Sequence, residues 1–182
     1  MAWAIWFTGL PGSGKTTIAR ATERELATRG VRARVLELDE VRQVLTPQPR
    51  YTGEERAIVY AALAYMAKLL VDEGVNVLID ATGNLRRYRD EASGLIADFG
   101  EVYVRCPLEV CVAREAGRKA QHAPRDIYRK GKTGESATVP GLNVPYEPPL
   151  KPIATIDCEV PPADAGRQAA DAILERFGGP RG

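Results

Sequence analysis

Residues Gly9-Leu10-Pro11-Gly12-Ser13-Gly14-Lys15-Thr16 match the pattern G-x-x-x-x-G-K-[ST] in full. Each residue type has a chemical reason to be there. Glycines let the backbone curl until successive N–H groups converge on phosphate oxygens. The N–H groups of Gly12, Ser13, Gly14, Lys15, Thr16 and Thr17 are the candidates for that cradle. A helix starting here adds its positive end. Lys15 is expected to reach the β- and γ-phosphates of ATP, and Thr16 to offer its hydroxyl to Mg²⁺. Such loops serve kinases, switches and motors alike, so further groups must decide the chemistry.

Two carboxylates supply that choice. Asp39 and Asp80 each follow an apolar run that reads as a strand. In an open parallel sheet, ligands bind beyond the carboxyl ends of the strands, which is where the phosphate loop also lies. One carboxylate can order the waters of Mg²⁺, and one can accept the proton of an attacking hydroxyl. Asp39 is the candidate base and metal-linked group, because Arg42 follows three residues later and can orient an anionic acceptor. Helix capping is the plainer role for either Asp. Asp80-Ala81-Thr82-Gly83 also fits the D-x-x-G spacing of nucleotide switches, but the chain has no guanine-reading N-K-x-D segment.

Cations are grouped as well. Arg86, Arg87 and Arg89 form one cluster; Arg114, Arg118, Lys119, Arg125, Arg129, Lys130 and Lys132 form another. Mobile cations closing over a transferring phosphoryl group stabilise its spread charge and exclude water. The second cluster falls in a stretch, 117–152, with little apolar periodicity and a Pro/Gly-rich end. A long segment without a clear element is commonly functional. A lid over about residues 114–150 is therefore expected.

These groups need a frame. Five short apolar runs, 3–8, 33–38, 76–80, 101–105 and 153–157, read as strands. Helical periodicity covers 16–28, 54–72, 87–99, 108–119 and 162–177. Alternation of the two predicts a three-layer α/β domain over residues 1–182, with a parallel five-stranded sheet covered on both faces. The chain has 182 residues, 45% hydrophobic and 27% charged, and a formal charge of +1, so no global field points to long nucleic acid. No run is long enough to span a bilayer. The apolar start lacks a basic n-region and reads as a buried strand. Cys106, Cys111 and Cys158 form no C-x-x-C pair, and with His122 as the one histidine no zinc spacing arises. Three reduced thiols in a cytoplasmic protein are the expectation.

Taken in order along the chain, further motifs resemble the adenylylsulfate kinase family, over about residues 5–149. Leu38-Asp39-Glu40-Val41-Arg42 is similar to its D-G-D-N-[VI]-R, and Tyr51-Thr52-Gly53-Glu54-Glu55-Arg56 to its F-S-x-x-[DE]-R. Cys106-Pro107-Leu108-Glu109-Val110-Cys111 looks like C-P-L-E-V-C. Ile127-Tyr128-Arg129-Lys130-Gly131-Lys132 looks like L-Y-K-K-A-R, and Pro140-Gly141-Leu142-Asn143-Val144-Pro145-Tyr146-Glu147 like T-G-I-D-x-P-Y-E. The resemblance implies a P-loop kinase that phosphorylates the 3′-hydroxyl of adenylyl sulfate with MgATP. By it, Lys15 and Asp39 are catalytic, Thr16 and Asp39 serve the metal, and Arg114 joins the ATP site. Asp39, Arg42, Tyr51, Arg56, Asp80, Gly83 and Lys130 then hold the acceptor, with Tyr51 stacking on adenine. Homodimers are common in such kinases by the same resemblance.

Some positions depart from the family pattern. Its second stacking aromatic falls on Val139, the Asn of D-R-x-x-N on Val59 and the Ser of I-S-P on Gly83, and an insertion lies near Ala116 to Pro124. The stretch Asp80-Ala81-Thr82-Gly83-Asn84 looks more like small kinases of other alcohols and of polynucleotide ends. A kinase of another phosphorylated alcohol, nucleoside or polynucleotide 5′ end is the second reading. A nucleotide-dependent switch without an acceptor is the third.

Overall fold

The first strand carries the core in both directions. β1 (Ala4–Thr8) is buried at every residue, and its side chains alternate between two faces. Ile5 and Phe7 pack with Ile18, Leu26, Ile156 and Ile173 on one side. Trp6 packs with Leu63, Val77, Ile79 and Tyr88 on the other. The computed structural model describes residues 1–117 and 126–178. Beyond Gly117, the expected insertion and the cations Arg118, Lys119 and Arg125 lie outside the described residues.

Among the described residues the remaining elements follow in order: α1 (Lys15–Thr28), β2 (Ala33–Glu37), α2 (Leu38–Leu45), α3 (Gly53–Asp72), β3 (Asn76–Asp80), α4 (Arg86–Leu95), β4 (Phe99–Arg105), α5 (Leu108–Ala116), α6 (Ile127–Thr133), β5 (Ala154–Asp157) and α7 (Pro162–Phe177). The sheet order is β2-β3-β1-β4-β5, and every pairing is parallel. Helices α1 and α7 cover one face, and α3 and α4 the other. The expected three-layer α/β fold with a parallel five-stranded sheet is the fold observed.

Local departures have local causes. β2 stops at Glu37, so Asp39 sits in the first turn of α2 and not at a strand end. Acidic Asp39 and Glu40 suit that helix terminus. The helix expected over 87–99 ends at Leu95, and Phe99 already opens β4. The helix expected over 108–119 ends at Ala116. The stretch 117–152 does contain an element: α6 forms because Tyr128 and Gly131 are buried, with Gly131 in close contact with Val139, Leu142 and Asn143.

The cysteine expectation is corrected. Cys106 and Cys158 form a disulfide, with Cα atoms 5.2 Å apart. Parallel pairing puts Arg105 opposite Asp157, so the next residue of each strand faces its counterpart. Cys111 alone remains a free, buried thiol.

Candidate functional site

Beyond the carboxyl ends of β1, β2 and β3 lies a cleft of ≈ 580 Å³. Among its lining residues are Lys15, Thr16, Asp39, Arg42, Tyr51, Arg56, Asp80 and Lys130. Eight residues singled out in the sequence, from five separate segments, thus share one cavity.

The phosphate loop forms one wall. Gly12 has φ +82°, and a Cβ there would come within 2.6 Å of the Cys111 carbonyl oxygen, so α5 lies directly behind the loop. Arg114 is on that side too. It donates to the Ser13 carbonyl at 3.4 Å and to the Cys158 carbonyl at 2.9 Å. The structure therefore makes Arg114 a brace behind the loop; it does not line the cleft. Ser13 is fully buried, and its Oγ has no hydrogen-bond partner. The Tyr128 hydroxyl donates to the Pro11 carbonyl and ties α6 to the loop.

Asp80 meets the loop from below. Burial pushes its carboxyl above the usual range, while Lys15 and a hydrogen bond with the Thr16 side chain pull it back. Glu37 and Asp39 add negative charge from the same side. Lys15, Thr16, Asp39 and Asp80 together offer oxygen donors and one cation around a polyphosphate-sized space. Magnesium commonly keeps its waters and takes one or two carboxylates plus substrate phosphates. This oxygen-donor set fits that habit, and no cage of three acidic, Cys or His ligands exists among the described residues.

Arginines and an aromatic ring line the same cleft. The Arg42 guanidinium carbon lies 5.2 Å from the centre of the Tyr51 ring. Arg42 is 7% exposed, and its Nη1 has no hydrogen-bond acceptor. Arg56 donates to the carbonyls of Tyr51 and Thr138. Burial lowers the Arg56 pKa, and the neighbouring charge of Arg42 lowers it further. Two cations lining one cleft make it favourable to an anion.

Gly83 is not in the cleft. Its N–H donates to the Tyr60 hydroxyl at 3.0 Å, and a Cβ there would meet Trp6 Nε1 at 3.0 Å. With that N–H committed inward, the D-x-x-G spacing does not present a switch glycine to a phosphate. Val59 is fully buried in the core with Trp6 and Leu63. Val139 is 2% exposed and joins Cys106, Cys111 and Tyr128 in a third apolar cluster, with one edge on the cleft.

The Arg86–Arg87–Arg89 cluster needs correction as a set of mobile cations. Arg89 is 1% exposed and donates to Thr8 Oγ1, the Gly83 carbonyl and the Glu147 carbonyl. Arg86 meets Glu147, and Arg87 lies over the Tyr88 ring. Of the second cluster, Lys130 reaches the cleft, whereas Arg129 pairs with Asp126 and Glu135.

Comparison with known proteins agrees with this geometry. The sequence pattern described as adenylylsulphate kinase matches residues 1–157. This chain belongs to the adenylylsulphate kinase family. It is 40% identical over 154 residues to an adenylyl-sulfate kinase of Rippkaea orientalis, covering 85% of this chain and 80% of that one. It is 37% identical over 157 residues to a probable adenylyl-sulfate kinase of Halalkalibacterium halodurans, covering 85% and 74%. Among solved structures it resembles the Mycobacterium tuberculosis APS kinase CysC in complex with AMPPNP and APS. The TM-score is 0.84 at 31% identity, with 96% of this chain and 98% of that one covered.

Several residues in or beside the cleft escaped the sequence reading. Glu37, Tyr60 and Thr138 line the cleft, and Glu55 stands behind Arg42. Glu55 did carry a signal: Thr52-Gly53-Glu54-Glu55 is a capping-box pattern, and the Thr52 hydroxyl accepts the Glu55 N–H.

Proposed function

We propose that this chain transfers the terminal phosphoryl group of MgATP to the 3′-hydroxyl of adenylyl sulfate. The observation that carries the reading is that one cleft is lined both by Lys15, Thr16, Asp39 and Asp80 and by Arg42, Tyr51 and Arg56. The first set suits a polyphosphate and the second a base attached to an anion.

In this reading the backbone of Gly12, Ser13, Gly14, Lys15, Thr16 and Thr17 cradles the donor phosphates, and Lys15 neutralises charge on the transferred group. Arg114 keeps the loop in shape from behind. Thr16 and Asp39 would hold Mg²⁺, with Asp80 fixing the Thr16 hydroxyl; the ion supplies charge neutralisation between the phosphates. Asp39 takes the proton of the attacking hydroxyl. Arg42 and Arg56 hold the phosphosulfate, and Tyr51 offers its ring to the adenine. Residues of about 114–150 act as a lid, with Lys130 entering the cleft from it.

The same reading makes the chain one cytoplasmic kinase domain. No helix among the described residues is long and apolar enough to cross a membrane. A homodimer belongs to it too, supported by Ile58, Tyr65 and Leu69, which stand exposed along α3.

A second reading has one observation in its favour. Valine at 139 gives the cleft no second aromatic face at that point, which suits a kinase of another phosphorylated alcohol, nucleoside or polynucleotide end. ADP release with MgATP, measured with and without adenylyl sulfate, tests the first reading. Strong stimulation with a 3′-phosphorylated product supports it. A folded, ATP-binding protein that adenylyl sulfate does not stimulate overturns it.

A further inference from the structure

Tyr51 is one of two non-glycine residues with positive φ among the described residues, at +56°. A bulky side chain does not hold that backbone unaided. Such outliers persist where surrounding contacts over-determine them. Here one carboxylate supplies the contacts. Glu55 Oε2 accepts the N–H groups of both Arg50, at 2.8 Å, and Tyr51. In an ordinary capping box that carboxylate would return to the N–H of the capping residue, Thr52. It reaches past Thr52 instead and captures the two residues before it.

The other oxygen of the same carboxylate faces Arg42. Glu55 Oε1 lies 3.8 Å from Arg42 Nη1, close enough to attract the guanidinium and too far to take its hydrogen. Arg42 Nη1 thus stays without an acceptor although buried. The guanidinium is held over the Tyr51 ring with a donor in reserve. Glu55 is not itself part of the cleft lining. Its side chain is 14% exposed, and that of Arg42 is 9% exposed, so water does little of this work.

Resting on the reading above, we propose that Glu55 is the positioning residue of the acceptor wall. It sets the spacing between the Tyr51 ring and the Arg42 guanidinium, and so the distance between base and anion that the site accepts. It touches neither substrate.

The test compares wild type with Glu55→Ala and Glu55→Gln. Glu55→Ala should raise KM for adenylyl sulfate by about tenfold or more, as loss of charged hydrogen bonds would. KM for ATP should stay within about twofold, a split that a general folding defect would not produce. Glu55→Gln keeps an acceptor oxygen for the Tyr51 N–H and should lie between the two. Equal changes in both KM values, or a loss in kcat alone, would overturn the proposal. Amide hydrogen exchange supplies a readout that needs no acceptor. Arg50 and Tyr51 should lose protection in Glu55→Ala while amides of the sheet keep theirs; unchanged protection also overturns it. A wild-type protein that adenylyl sulfate does not stimulate would refute the functional reading alone, and the exchange result would still decide for or against Glu55.

Discussion

Arg89 Nε lies 2.5 Å from Glu101 Oε1, with the Arg89 side chain 1% exposed and that of Glu101 19% exposed. The same guanidinium donates to Thr8 Oγ1, to the Gly83 carbonyl and to the Glu147 carbonyl. One cation thereby joins the entry to the phosphate loop, the turn after β3, the strand β4 and the C-terminal end of the expected lid segment. Tyr146 adds to the knot, with its hydroxyl 2.9 Å from Thr8 Oγ1. This end of the segment is docked by buried polar contacts and by the stacking of the Tyr146 ring on Tyr103.

Breaking that knot should be costly. Arg89→Met leaves Glu101 without its cation and Thr8 Oγ1 and two carbonyls without their donor, and removing one partner of a buried pair typically costs about 3–5 kcal/mol. Urea unfolding should show a loss of that order. The double variant Arg89→Met/Glu101→Gln removes the stranded charge as well and should recover part of it. A double variant no more stable than the single one would show that the carbonyl contacts, not the ion pair, dominate.

Reduction should destabilise the fold through the Cys106–Cys158 bond, which closes a loop with a sequence separation of 52. Chain-entropy arguments give about 4 kcal/mol for a loop of that size. Thermal melts with and without a phosphine reductant should differ clearly for wild type and hardly at all for Cys106→Ala/Cys158→Ala. Cys111 should stay silent in alkylation of the folded protein near neutral pH, since burial pushes its thiol up to about 11. Rapid alkylation at Cys111 would contradict the packing of α5 against the loop.

What could be read from the sequence was what is local. Gly9 to Thr16 carries its function within eight consecutive positions, and its flanking strand and helix are periodic. The fold class followed from the alternation of such elements. By contrast, α2 is only eight residues long; its apolar positions Leu38, Val41, Val44 and Leu45 keep helical spacing, but Leu38 directly follows the strand β2 and reads as its continuation. The seven residues of α6 include two lysines, an arginine and a glycine, and the helix exists because Tyr128 and Gly131 find partners elsewhere. The disulfide depends on the register of β4 against β5, which no spacing within the sequence encodes. Arg89 looked like its exposed neighbours because burial, not residue type, sets its role.

Asp80 links stability to activity with opposite signs. Burial raises its carboxyl pKa in the folded chain, so the folded state holds a proton that the unfolded state has released. Between the ordinary carboxylate range and the raised folded value, stability therefore falls as pH rises. Asp80→Asn removes that slope. The variant should melt at least about 2 °C higher than wild type near neutral pH. Turnover should drop by about 10²-fold or more, because the Thr16 hydroxyl loses its charged partner beside the phosphates. A less stable Asp80→Asn protein would show that the contacts of Lys15 and Thr16 outweigh the burial of the charge.

Lys15 and Asp39 separate chemistry from folding. Both line the cleft and neither belongs to the apolar clusters, so Lys15→Ala and Asp39→Ala should stay folded. Each should cut the rate of phosphoryl transfer by about 10³-fold or more, as loss of a charge acting on the transition state does. Their side effects should differ. Lys15 is the main charge holding the Asp80 pKa down. Its removal should push the Asp80 titration higher and steepen the fall of stability with pH, whereas Asp39→Ala removes a neighbouring negative charge and should shift that titration the other way. Melting curves across pH, together with single-turnover rates, check both halves. Near wild-type transfer in a folded Asp39→Ala protein would remove Asp39 from the role of base, and identical pH profiles for the two variants would refute the electrostatic link to Asp80.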